Sequence, residues 1–100
     1  MGGERQSAWA RPFCGSVRAA DVGNRIELVG WVRRRRDLGG IIFVDLRDRA
    51  GWMQVLFPDE PLKSRAADLS HEDVVRVAGT VRPRPADMVN HDLPTGEVEL

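Results

Sequence analysis

The chain has 100 residues, 42% of them hydrophobic, and its 15 basic and 15 acidic side chains cancel to a formal net charge of zero. That length supports one small domain with one core and excludes an active site built between domains. The charge balance gives no global attraction to nucleic acid, so any phosphate contact must come from a local patch.

Cys14 is the only cysteine, which excludes an internal disulfide and fits a reducing cytoplasm. No apolar run has the length of a secretory core or a membrane span. A soluble, cytoplasmic protein is therefore expected.

Residues 1–12 read as a flexible polar tail, in which Trp9 is the one side chain suited to docking on the domain. Between Ser16 and Val22 there is room for a short helical turn, stopped at Gly23-Asn24. The first strand follows, with Ile26, Leu28 and Val32 on one face and Gly30 at a bend or bulge. Beyond Gly30 the facing of Arg33, Arg34, Arg35 and Arg36 is left open. Gly39-Gly40 closes a hairpin because glycine tolerates positive φ.

The second strand alternates: Ile42, Val44 and Leu46 point inward, while Ile41, Phe43, Asp45 and Arg47 point outward. Asp48 to Gly51 forms the next turn. On the third strand Met53, Val55 and Phe57 share one face, and Trp52, Gln54 and Leu56 the other. Pro61 opens a short helix with Leu62, Ala66 and Leu69 as its apolar stripe. The fourth strand, Val74 to Val81, turns Val75, Val77, Gly79 and Val81 inward, and the same parity puts Arg82 and Arg84 outside. Pro83 and Pro85 are expected to stop pairing and release a loop as far as Pro94. Thr95-Gly96 then turns into a last strand containing Val98 between Glu97 and Glu99.

Three meandering strands, one short helix and two further strands give an all-β chain. The order is that of the five-stranded Greek-key OB-fold barrel, with its helix between strands 3 and 4. In such barrels the outer face of strands 2 and 3 meets oligonucleotides. Phe43 offers that face a ring on which a base can stack. Gln54 offers one donor and one acceptor arrangement for a base edge, and the arginines suit phosphates or base edges. An outward phenylalanine is equally what a loop or a neighbouring domain covers, and an arginine run equally a solvated sheet edge. His71 and His91 fall in loops, and the hairpin aspartates are turn formers rather than metal ligands. Nothing in the pattern is catalytic.

Cys14-Gly15, Gly30-Trp31-Val32 with Arg34-Arg35-Arg36-Asp37, Phe43-x-Asp45-x-Arg47-Asp48, Gln54-Val55, Gly79-Thr80-Val81-Arg82-x-Arg84 and Thr95-Gly96-Glu97-Val98-Glu99 together resemble bacterial-type aspartyl-tRNA synthetase. The resemblance runs from Phe13 to Leu100 and corresponds to that family's amino-terminal anticodon-binding domain. It implies a module that binds the anticodon loop of the aspartate tRNA. It assigns RNA contacts to Arg34, Arg36, Phe43, Gln54, Arg82, Arg84 and Glu99. Phe43 would stack on the central uridine and Glu99 would read the first anticodon base. Leu38 stands where histidine often marks enzymes that also charge the asparagine tRNA. The resemblance further implies a class II ligase, homodimeric as a whole, whose ATP- and magnesium-dependent catalytic domain lies outside these residues. The last strand is then expected to be cut short. A freestanding single-strand-binding module without anticodon preference is the alternative.

Overall fold

In the computed structural model, which describes residues 10–100, the strands form a curled half-barrel closed by a short ribbon. The strands are β1 (Arg25–Leu38), β2 (Ile41–Asp48), β3 (Gly51–Phe57), β4 (Val74–Thr80), β5 (Arg82–Pro83) and β6 (Val98–Glu99), and α1 (Leu62–Ala67) lies between β3 and β4. One antiparallel sheet runs in the order β3-β2-β1-β4, and β5 pairs with β6. The chain turns the corner between β4 and β5 at Val81, which exchanges backbone hydrogen bonds with Gly23 and Asn24. Leu100 brings the end of β6 alongside β3, donating to the Gln54 carbonyl at 3.0 Å and accepting from the Leu56 amide at 2.7 Å.

The long strand β1 serves two partners. Its first half, Arg25 to Trp31, pairs with β4, and its second half, from Trp31 to Leu38, pairs with β2. Gly30 lies at this handover, where a Cβ would come within 2.4 Å of the Arg47 carbonyl oxygen. Its role is close approach of two backbones. The bulge expected there falls instead between Val32 and Arg34. Gly39 and Gly40, at φ +57° and +83°, form the two-residue turn that follows, as expected for a primed hairpin turn.

The inward residues are those the alternation predicts. Ile26, Leu28, Leu46, Met53, Val55 and Val98 belong to one apolar cluster, and Val32, Ile42, Val44 and Ala66 to a second under α1. Ala66 is buried and Leu69 packs against the second cluster, whereas Leu62, expected on the same stripe, is exposed. Helix α1 is too short to keep a full stripe against the barrel. Two single 3-10 turns, Cys14–Ser16 and Ala19–Asp21, replace the expected helical turn before Gly23.

Two further expectations change. Pro83 does not stop pairing: it sits opposite Val98 in the β5–β6 ribbon, and the Arg84 amide donates to the Glu97 carbonyl at 3.0 Å. A two-residue edge strand needs no donor from its proline. In the expected tail, Ala10 bridges β1 in parallel through the Arg25 carbonyl and the Glu27 amide. Trp9 lies outside the described residues.

Candidate nucleic-acid interface

The bulge in β1 decides where the arginine run goes. An uninterrupted strand would send alternate arginines to opposite faces. The extra residue resets the parity, so Arg34 pairs opposite Asp45 and Arg36 opposite Phe43. Arg33 reaches the same outer face, with its guanidinium 4.6 Å from the Trp52 ring centroid and 3.5 Å from the Asp45 carboxylate. Arg35 turns the other way and donates to the Ala67 carbonyl at the end of α1. Three of the four arginines thus share one face.

They open onto a cleft of about 480 Å³ lined by Arg33, Arg34, Arg36, Asp45, Trp52, Gln54 and Arg84, with Asp87, Met88 and Asn90 as its far wall. The floor comes from β1 to β3. The wall follows β5 and includes the 3-10 turn Ala86–Met88.

A chain of polar contacts crosses the floor. Arg36 donates to Gln54 Oε1 at 2.8 Å, Gln54 Nε2 donates to Glu99 Oε1 at 2.9 Å, and Arg82 Nε donates to Glu99 Oε2 at 2.8 Å. Four of the residues named from the sequence are therefore linked head to tail, from the second half of β1 to β5. Arg84 Nε donates to the Val98 carbonyl at 2.9 Å, while its Nη2 is buried without a protein partner. Arg36 Nε is likewise buried and unpartnered. A buried donor left unsatisfied is costly, so both N–H groups favour a ligand that brings acceptor oxygens or ring nitrogens.

The sequence placed Phe43, Gln54, Arg84 and Glu99 on outward faces and expected them in water, and it left Arg36 open. The facing holds and the exposure does not. Phe43 is 5% exposed, Gln54 and Glu99 1% each, and Arg84 8%. Phe43 lies under the Arg36 guanidinium, 5.3 Å from its ring centroid. Gln54 and Glu99 cover each other, and Arg84 is folded back against β6 instead of pointing out from β5. Arg82 remains exposed, as expected, and so is Arg34, whose facing the sequence left open.

Sequence reasoning missed Arg33, Asp45 and Trp52 as parts of this surface. The strand parity already placed Asp45 and Trp52 outward, and Arg33, next after inward Val32, shares that face; the bulge adds Arg34 and Arg36 to it. Asp45 is buried among Arg36, Arg33, Arg34 and Arg84. Burial pushes its carboxyl up from the usual range, and the four positive charges, Arg36 foremost, pull it back only in part. Burial also lowers the Arg84 guanidinium below its ordinary value, opposed by Glu99 and Asp45. Cys14 plays no part in the cleft. Its thiol is buried, its pKa is pushed up to about 12 by burial and by the Asp48 carboxylate, and its amide donates to Asp48 at 2.6 Å.

Among the described residues no three His, Cys, Asp or Glu side chains converge on a possible metal site. Asp45 and Glu99 are already engaged by arginines, so this donor set does not fit magnesium or its nucleotide complex. No described helix is long and apolar enough to cross a membrane.

Similarity to known proteins agrees with this fold. An aspartate–tRNA ligase of Streptomyces griseus is 51% identical over 88 residues, covering 87% of this chain and 15% of that protein. An aspartate–tRNA(Asp/Asn) ligase of Oleidesulfovibrio alaskensis is 52% identical over 96 residues, covering 92% of this chain and 16% of that protein. The chain thus spans about one-sixth of the length of these relatives. Among solved structures, asparaginyl-tRNA synthetase from Pyrococcus horikoshii superposes with a TM-score of 0.70 at 26% identity, over 89% of this chain and 20% of that one. The family described as OB-fold nucleic acid binding domain matches residues 26–100, and the chain belongs to that family.

Proposed function

We propose that this domain binds the anticodon loop of the aspartate tRNA on behalf of an aspartate–tRNA ligase. The observation that carries this reading is the cleft itself. It holds Arg36, Gln54 and Glu99 already paired to one another, and two buried arginine donors, Arg36 Nε and Arg84 Nη2, with no protein partner. Single-stranded RNA supplies what such a site lacks: acceptor edges, ring faces and phosphates, all at once.

In this reading Arg36 covers Phe43 in the free protein and leaves it when an unpaired base arrives. The ring is then bared for stacking on the central uridine, and the guanidinium turns to a base edge beside Gln54. Glu99, held by Gln54 and Arg82, reads the first anticodon base. Arg34 and Arg82, both exposed, meet phosphates, and Arg84 supplies its free donor from the wall. The ligation chemistry, with its ATP and magnesium, belongs to other parts of a cytoplasmic, homodimeric class II enzyme.

The test is competition between an aspartate anticodon stem-loop and the same stem with a shuffled loop, read by fluorescence anisotropy. The expected result is preference for the aspartate loop. Equal affinity for both loops would leave a single-strand-binding module without anticodon preference. Phe43→Ala should weaken binding by about 1–3 kcal/mol with little change in salt dependence. Arg82→Ala should instead flatten the log–log salt slope by about 0.7. An unchanged slope would remove the phosphate role of Arg82.

A further inference from the structure

A buried carboxylate on the floor of a cleft meant for RNA needs a reason, because it opposes every phosphate that enters. Asp45 is 2% exposed and occupies the middle of the outer face of β2. Its two oxygens serve different arginines: Oδ1 lies 3.4 Å from Arg36 Nη2, and Oδ2 lies 3.5 Å from Arg33 Nη1. Each of those arginines covers its own ring, Arg36 that of Phe43 and Arg33 that of Trp52. Both separations exceed the roughly 2.7–2.9 Å of a strong charge-assisted bond. The carboxylate attracts both guanidinium groups without fixing either.

We infer that Asp45 is a positioning residue that parts Arg33 from Arg36 and keeps each over a separate aromatic ring, giving the cleft two arginine-covered stacking platforms instead of one diffuse positive patch. This rests on the reading of the cleft as an RNA site. It extends that reading to a second platform, Arg33 over Trp52, and to a source of discrimination. Two like charges gathered round one carboxylate repel each other, and a negative charge that faces both offsets that repulsion. A neutral amide at the same place keeps the shape and loses the attraction. The freed guanidinium groups would then pair with whichever phosphates come near, independent of sequence. Asp45 therefore lowers general RNA affinity and raises selectivity.

The test uses the protein itself and its Asp45→Asn variant. Without RNA, the side-chain protons of Arg33 and Arg36 in the wild type should show upfield NMR shifts from the rings of Trp52 and Phe43. In the variant both should move toward unstructured values, while the backbone amides of β2 and β3 stay in place. With RNA, the variant should bind the shuffled loop several-fold more tightly, with a salt slope steeper by about 0.7 for each freed guanidinium that meets a phosphate. Its preference for the aspartate loop should fall about tenfold. Upfield shifts retained in the variant would overturn the inference, since the rings alone would then hold the arginines. Absence of those shifts in the wild type would overturn it as well, and needs no variant to fold. If the shifts behave as expected but the wild type shows no preference between the loops, the positioning role stands and the anticodon reading fails.

Discussion

The inner and outer faces of β2 are both buried, by different agents. Inside, Ile42, Val44 and Leu46 are covered by the apolar side chains of the two core clusters. Outside, Phe43 and Asp45 are covered by the guanidinium groups of Arg36 and Arg33. The first cover is permanent, because removing it returns apolar surface to water. The second can be exchanged, since an arginine that leaves the ring finds water, phosphate or a base edge at little cost. On the proposed reading, the outer face is kept dry and still open to RNA because its lid is made of charge.

The largest expected effect separates the two covers. Leu46→Ala should lower stability by about 2–5 kcal/mol in chemical denaturation, because the barrel interior cannot close over the lost side chain. RNA affinity of the folded fraction should be unchanged. Phe43→Ala should lower stability less, by about 1–3 kcal/mol, because its cover is a single charged side chain rather than packed hydrocarbon. Its larger consequence is for RNA. Equal stability losses in the two variants, with RNA binding intact in both, would show that the faces do not differ in kind.

The same contrast explains what was legible in the sequence. Period-two alternation and the turn residues gave β1 to β4, the helix and the inward set, because those features depend on backbone geometry and burial on one side. The side of the sheet on which Phe43, Gln54 and Arg82 lie was legible for the same reason. What covers them was not. The lid of Arg36 over Phe43 depends on a bulge at Arg33 that no residue type marks, and Gly30 nearby was the more obvious candidate. The burial of Glu99 depends on β5 pairing with β6 across 14 residues of intervening chain, a contact that Pro83 and Pro85 argued against. Alternation reports facing, and long-range pairing decides exposure.

An intermediate effect is expected from cutting the polar chain at its centre. Gln54→Leu keeps the volume and removes both hydrogen bonds, so Glu99 Oε1 loses its donor and Arg36 Nη2 keeps only its longer contact to Asp45. The cost should be about 1–3 kcal/mol, since the carboxylate is almost fully buried. Gln54→Glu should be worse, because it sets a second carboxylate against Glu99. A measured order with Gln54→Glu more stable than Gln54→Leu would mean that Arg36 and Arg82 neutralise more charge than one glutamate.

The smallest effect distinguishes the outer face by its response to acid. The Asp45 carboxyl is pushed up in the folded protein, chiefly by burial. Between its unfolded and folded titration ranges the native state then holds more protons than the unfolded chain. Stability must therefore fall as pH rises through that window, and the cost of burying the charge is fully present above it. This is opposite in sign to the acid response of a carboxylate whose salt bridge outweighs its burial. Asp45→Asn should remove that part of the pH dependence, while the same substitution at exposed Asp59 should leave it. Thermal unfolding of the three proteins from pH 3 to pH 7 reads the difference directly. If stability instead rose with pH more steeply in the wild type than in Asp45→Asn, the guanidinium lid would be holding the carboxylate more tightly than its desolvation disfavours it. The charged cover would then behave as fixed structure, and the distinction between the two faces would be one of chemistry alone.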